Sequence, residues 1–348
     1  MKGLTFEGPR TIRCSQVPEP SIVDPTDAIV RVELTAICGS DLHVYHQREK
    51  GIDPGTVMGH ELVGEVVELG RAVTRLRKGD RVVSPFTTSC GECFYCVRAL
   101  TCRCPRGQLL GWVEKGVGLP GAQAERVRVP LADSTLVPIP EGISVEEALL
   151  LTDILPTAFF CADLAEVSRR GVYAIVGCGP VGLLTILAAR ECGAVDIYAV
   201  DSVPERLARA RDFGATPINF READPAAVLR DKTEGRGADA VLEAVGSPAA
   251  GRLAFEAVRP GGIVATVGVH TEDRLAFSPV EAYGKNLTYR TGRCPARHYI
   301  DRLIPVLQRR KHDFASIFTH RLPLEEGTRG YQMFDQKEAA CIKVLLAP

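Results

Sequence analysis

Four cysteines spaced Cys90-x-x-Cys93-x-x-Cys96-x7-Cys104 bring four thiols into a single loop. Two-residue gaps of this kind suit a tetrahedral zinc shell with every position filled, at about 2.3 Å per sulfur, which is a structural rather than a reactive site. Cys102 stands two residues before Cys104 and competes with it for the fourth position. The chain has twelve cysteines, and the others (Cys14, Cys38, Cys161, Cys178, Cys192, Cys294 and Cys341) are dispersed. Closely spaced cysteines in a chain expected to be cytoplasmic point to metal before disulfide.

A second pair has different chemistry. Cys38, in Ala36-Ile-Cys38-Gly39-Ser40-Asp41-Leu42-His43, and His60, in Met58-Gly59-His60-Glu61-Leu-Val-Gly64, are a soft thiolate and an imidazole outside the cysteine loop. Both suit Zn²⁺, but a third ligand is needed. Read alone, the pair fits a small buried thiol and a hydrogen-bonded histidine more readily than a metal site.

The third chemical stretch is Gly177-Cys-Gly179-Pro180-Val181-Gly182. It follows the apolar run Val172 to Val176 and precedes Val181 to Ala189, where apolar residues recur at a helical period. Glycines at this spacing give a tight turn, close approach of backbone to a pyrophosphate and close helix-on-strand packing, with the phosphates at a helix N-terminus. Asp201 ends the next apolar run, about 20 residues past the last glycine, as the dinucleotide pattern requires. A carboxylate there can accept both ribose hydroxyl protons and repels a 2′-phosphate, so NAD is favoured over NADP. The alternative for Asp201 is a helix cap before Pro204-Glu-Arg206.

These residues need two kinds of scaffold. Up to about residue 150 the chain reads as β-rich, with strands expected at Ala28 to Leu34, Leu62 to Leu69, Arg81 to Ser84 and Glu125 to Val129, punctuated by Gly and Pro. Beyond Ile154 strands alternate with helices: Val172 to Val176, Val195 to Val200, Ala240 to Leu242 and Ile263 to Val267 as strands, with a helix over Glu205 to Phe213. That alternation predicts a parallel sheet. Past about Arg290 a helix over Ile300 to Gln308 is followed by a β-like run, Cys341-Ile-Lys-Val-Leu-Leu, expected to rejoin the first domain. A chain of 348 residues suits about two domains. Its net charge of −1 argues against an electrostatically held nucleic acid or membrane partner. The stretch from Met1 has no pattern of a cleavable leader, and no apolar run approaches the roughly 20 residues that span a bilayer, so a cytoplasmic location is expected.

Taken in order and spacing, these motifs make the chain resemble the zinc-dependent medium-chain alcohol dehydrogenases over nearly its whole length. The resemblance implies an α/β protein: a GroES-like, β-rich catalytic domain over 1–153 with a zinc lobe at about 88–106, a Rossmann coenzyme domain with a doubly wound parallel sheet over 154–290, and a return to the catalytic domain over 291–348. It implies a homodimer or homotetramer, two zinc ions per chain and NAD. The third ligand of the catalytic zinc falls at Asp153, where many members have cysteine, so the set is Cys38, His60 and Asp153. This is similar to the formaldehyde-dehydrogenase-like branch.

The resemblance also assigns roles. Asp41 accepts the second ring N–H of His60, Ser40 receives the proton of a small alcohol, and His43 ends the relay to solvent. Glu61 serves as a temporary ligand. Pro180, Val181 and Arg206 join the glycines on the coenzyme, Val267, Gly268 and Val269 touch the nicotinamide, and Glu243 to Gly246 lie near a ribose. Trp112 lines the substrate pocket. Zinc lowers the pKa of a bound hydroxyl, which favours hydride departure to the nicotinamide. A polyol or sugar dehydrogenase of the same superfamily, or a dinucleotide sensor without turnover, are the alternatives.

Overall fold

The strand Ala28–Ile37 is the hub of the first unit's main sheet, and it is buried almost throughout because it has partners on several sides. It pairs antiparallel with Leu62–Leu69, Arg126–Val129 and Lys343–Ala347. Its Val- and Ile-rich sequence suits such a position. It runs three residues further than the expected Leu34, because Thr35, Ala36 and Ile37 lie opposite Leu346, Leu345 and Val344. A partner so distant in sequence leaves no local signal.

Register fixes what leaves the sheet where. Thr35 lies opposite Leu62, and Leu62 opposite Ser84. In an antiparallel pair, continuing beyond Thr35 means approaching the residues that precede Leu62. Cys38 and His60 therefore emerge at the same end, and Lys343, next to Val344, emerges beside them.

The computed structural model describes all 348 residues, and the chain divides into two units, Met1–Pro156 with Pro295–Pro348, and Thr157–Cys294. In the second, six parallel strands lie in the order Thr216–Asn219, Asp196–Asp201, Val172–Val176, Ala238–Glu243, Val258–Thr266 and Thr288–Thr291. Numbered along the chain this is 3-2-1-4-5-6, the doubly wound dinucleotide-binding order. The chain reverses direction across the sheet at Val172–Val176, so a crevice opens between the loops after this strand and after Ala238–Glu243, the place where sheets of this order bind ligands. The strand expected from Ile263 begins at Val258, with a register shift near Ala238 that absorbs Pro260-Gly-Gly.

The helix Pro180–Glu191 starts with Gly179 as N-cap and Pro180 in its first turn, where a missing N–H costs nothing. Gly182 is obligatory: a Cβ there would lie 1.7 Å from the Gly177 carbonyl oxygen. The helix can approach its strand only because that side chain is absent.

Candidate functional site

Cys38, His60 and Asp153 converge. Their ligand atoms, together with that of Glu61, all lie within 4.8 Å of one another. Cys38 Sγ is 3.2 Å from Asp153 Oδ2, which is 3.4 Å from His60 Nε2. Each arrives from a different element: Cys38 from the end of Ala28–Ile37, His60 from the approach to Leu62–Leu69, and Asp153 from the turn after helix Val145–Leu150. That helix is fixed by a capping box, Ser144 with Glu147. The Thr152 carbonyl then accepts the Phe86 N–H, and the Phe86 ring stands edge-on to His60.

The electrostatics suit a cation. Burial opposes ionisation of Asp153, but His60 beside it holds its carboxyl below the usual range. Burial likewise opposes charging of His60, yet Asp41 and Asp153 raise it well above an ordinary imidazole. Burial and the Asp153 charge push the Cys38 thiol up. A thiol, an imidazole and a carboxylate collected in one largely buried spot match the donor set of a zinc site, with the metal supplying the charge that ionises the thiol, so the residues fit the metal.

Asp41 lies behind His60. Its Oδ1 is 3.3 Å from His60 Nδ1, while Oδ2 accepts the Cys38 N–H at 2.9 Å. The outer carboxylate thus fixes the ring with Nε2 turned toward Asp153. Ser40 is the N-cap residue of the short helix Asp41–Tyr45, but its hydroxyl makes no cap bond and lies 3.4 Å from His60 Nε2. His43 is buried on the same helix. Glu61 is fully buried and its Oε1 is ion-paired with Lys343, also fully buried. The neighbouring carboxylate raises Lys343 despite its burial, so the lysine stays charged.

The cysteine loop gathers Cys90, Cys93, Cys96 and Cys104, and the fourth member is Cys104 rather than Cys102. Cys90 and Cys96 sulfurs are 4.0 Å apart, and the Cys90 N–H points to Cys104 Sγ. Burial works against Cys90 ionising, but the Arg106 guanidinium and two backbone N–H groups lower it to about 6. Burial pushes Cys96 up to about 12. Only two short 3₁₀ turns, Cys96–Arg98 and Thr101–Arg103, organise the loop, and Phe94, Val97 and Leu100 face outward.

In the second unit the glycine turn and Asp201 meet. Asp201 Oδ2 accepts the Cys178 N–H at 2.8 Å, and Oδ1 accepts those of Ser202 and Val203. A carboxylate has about four acceptor directions, so one remains where the sequence suggested two for ribose hydroxyls. The Arg206 guanidinium lies over the turn, 3.9 Å from where a Gly179 Cβ would be, and its Nε is buried without a partner. A guanidinium with an unpartnered Nε–H above open glycine backbone at a helix N-terminus fits an anionic dinucleotide. The N–H groups of Val267 and Gly268 are taken by the Glu243 carbonyl, and the Glu243 carboxylate accepts the Val245 and Gly246 N–H groups and pairs with His270. Val269 is exposed. Trp112 is half-buried and packs against the cluster of Leu4, Phe6, Met58 and Tyr331.

Sequence reasoning missed Lys343, Gln123, Tyr331 and the Glu243–His270 pair. Lys343 did leave a trace: a lone cation in the apolar run Ile342 to Leu346 demands a buried anion. Gln123, Tyr331 and His270 carry no pattern.

A family model described as "Alcohol dehydrogenase GroES-like domain" matches residues 24–141, and one described as "Zinc-binding dehydrogenase" matches 180–309. The chain is 42% identical over 347 residues to zinc-type alcohol dehydrogenase B of Aspergillus flavus, covering 96% of this chain and 79% of that protein. It is similar to the solved structure of alcohol dehydrogenase TADH from Thermus sp. ATN1, with a TM-score of 0.93, 42% identity and coverage of 100% and 99% of the two chains. The NADP-dependent isopropanol dehydrogenase of Thermoanaerobacter brockii is 34% identical over 85% of each chain. Its parallel-sheet unit, its β-rich unit and its two ligand groups agree with these matches, and the chain belongs to the zinc-type medium-chain alcohol dehydrogenases.

Proposed function

We propose that the protein transfers hydride between a small alcohol and NAD, yielding an aldehyde or ketone, with one zinc at Cys38, His60 and Asp153 and another in the four-cysteine loop. The observation that carries this reading is the convergence of a thiol, an imidazole and a carboxylate with the Ser40 hydroxyl within hydrogen-bond reach of the imidazole. Zinc supplies a Lewis acid that eases loss of a hydroxyl proton, and NAD supplies the hydride acceptor.

The chain's own residues do the rest. Cys38, His60 and Asp153 hold the metal, and Asp41 keeps the His60 tautomer that leaves Nε2 to bind it. Ser40 takes the proton of the substrate hydroxyl and passes it on toward His43. Glu61 joins the ligands only when its bond to Lys343 opens. Gly177, Gly179, Pro180, Val181, Gly182 and Arg206 hold the pyrophosphate side of the coenzyme, Val267, Gly268 and Val269 the nicotinamide side, and Trp112 one wall of the substrate pocket. Asp201 carries the preference for NAD, since its remaining acceptor direction serves a hydroxyl and its charge repels a phosphate.

No helix is long and apolar enough to cross a membrane, and we place the enzyme in the cytoplasm as a homodimer or homotetramer. Metal analysis combined with alcohol-dependent formation of NADH, and of NADPH in parallel, tests the proposal. Two zinc ions per chain, one for each ligand group, with turnover on NAD are expected. Two zinc ions without turnover on primary, secondary or aromatic alcohols would point instead to a dinucleotide sensor.

A further inference from the structure

Gln123 is fully buried, and its side-chain amide has a single sensible orientation. Nε2 lies 3.1 Å from the Ala36 carbonyl oxygen and 3.2 Å from Asp41 Oδ2, both of them acceptors only. The reverse orientation would set an amide oxygen against a carbonyl and a carboxylate. Oε1 accordingly faces the Tyr331 hydroxyl, which donates to it at 2.9 Å. Tyr331 is fully buried as well, and burial followed by the Asp41 charge holds its phenol well above the ordinary value, so it remains a donor. Hydrogen-bond donation runs one way, from Tyr331 to Gln123 to Asp41.

Asp41 then receives the Cys38 N–H and the Gln123 amide on Oδ2, and its Oδ1 lies 3.3 Å from His60 Nδ1. Both bonds hold Oδ2, which leaves Oδ1 turned toward His60 Nδ1 and favours the tautomer with its proton there. Gly59 makes room for this arrangement: its φ is +91°, and a Cβ there would lie 2.4 Å from Gln123 Cγ. The residue next to His60 is thus pressed against the side chain that steadies Asp41.

We infer that Gln123, braced by Tyr331, is a positioning residue for the catalytic metal, acting through Asp41 on His60. This rests on the reading of Cys38, His60 and Asp153 as the metal site. Outer partners of a metal-bound histidine contribute through orientation and basicity, and losing one weakens metal binding by about 10- to 100-fold.

The four-cysteine loop provides an internal control on the same chain. The full-length zinc-loaded protein is mixed with a chromophoric chelator, and zinc release is followed as two phases, each assigned with a Cys96→Ser variant that lacks the loop site. Gln123→Met keeps the volume and removes both polar ends, and Tyr331→Phe removes one hydroxyl. Both are expected to weaken the Cys38–His60–Asp153 site, Gln123→Met by about 10- to 100-fold and Tyr331→Phe by less, with the loop phase unchanged. Wild-type affinity at that site in both variants would overturn the inference, as would parallel weakening of both sites with a lowered melting temperature, the mark of a purely structural role. If Gln123→Met fails to fold, Tyr331→Phe decides alone. Wild-type protein holding zinc only in the loop would overturn the metal-site reading itself.

Discussion

Lys343 Nζ and Glu61 Oε1 form an ion pair between two fully buried side chains that are 282 positions apart in sequence. Glu61 has no other hydrogen-bond partner for its Oε2. Its charge therefore depends on one lysine, beside the residues proposed to hold zinc. Removing one member of a buried pair leaves an uncompensated charge, which costs about 3–5 kcal/mol, whereas removing both costs far less. Lys343→Met should lower the melting temperature markedly, and Lys343→Met combined with Glu61→Gln should recover most of it. A thermal melt of the two variants and the wild type checks this.

Asp153 supplies the charged oxygen of the candidate site. Asp153→Ala should reduce zinc from two ions per chain to one, leaving the four-cysteine loop loaded, and abolish alcohol-dependent NADH formation. Asp153→Cys should keep both ions, since a thiolate is an equally good zinc ligand. Elemental analysis after gel filtration reads both outcomes.

The cysteine loop exposes Phe94, Val97 and Leu100 and has only short turns, so its four sulfurs are an important part of what holds it. Cys96→Ser should therefore release one zinc and open residues 90–104 to protease, while the remainder of the chain stays resistant. Limited proteolysis followed by mass spectrometry would locate the first cuts. Cleavage elsewhere first would mean that the loop is held by other contacts.

Asp201 anchors the Cys178 N–H and is proposed to face the coenzyme ribose. Asp201→Gly should weaken binding of both coenzymes, because the glycine turn loses an anchor, but should weaken NAD more. The ratio of kcat/KM for NAD to that for NADP is expected to fall by about tenfold, the equivalent of about 1.4 kcal/mol. An unchanged ratio would move the ribose site elsewhere.

His270 lies 3.1 Å from the buried Glu243 carboxylate, whose hydrogen bond raises the imidazole above its ordinary value. A raised pKa in the folded state means the protonated form is favoured by folding. The stabilisation is fully present below the unfolded histidine value of about 6.5, and it is lost as pH rises through the higher folded value. The difference in melting temperature between wild type and His270→Gln should thus be larger at pH 6 than at pH 9. A difference that grows with pH would contradict the pairing.

The coenzyme unit was legible where its four inner strands carry apolar runs, whereas the edge strands Thr216–Asn219 and Thr288–Thr291 have none and left no signal. The glycine turn and Asp201 come from neighbouring segments, so their spacing survives in the sequence. Cys38 and His60 were visible as residue types, but what makes them a site is the register of Thr35 against Leu62, which spacing does not encode. Tyr331 and Gln123 were illegible for the same reason: a lone tyrosine and a lone glutamine acquire meaning only when the fold buries them in one chain of hydrogen bonds ending on Asp41. Strand Ala28–Ile37 extends past Leu34 because Ala36 and Ile37 owe their strand state to the distant strand Lys343–Ala347.

That insertion has a consequence for biosynthesis. The strand Lys343–Ala347 fills the gap between Ala28–Ile37 and Phe318–Pro323, and it emerges from the ribosome after the whole coenzyme unit. The parallel-sheet unit can fold while translation continues, but the metal-binding unit must wait, with Glu61 lacking its counterion and a hydrophobic edge unpaired, until this late segment arrives. Chaperone demand during synthesis should fall on the half of the protein that begins first and finishes last.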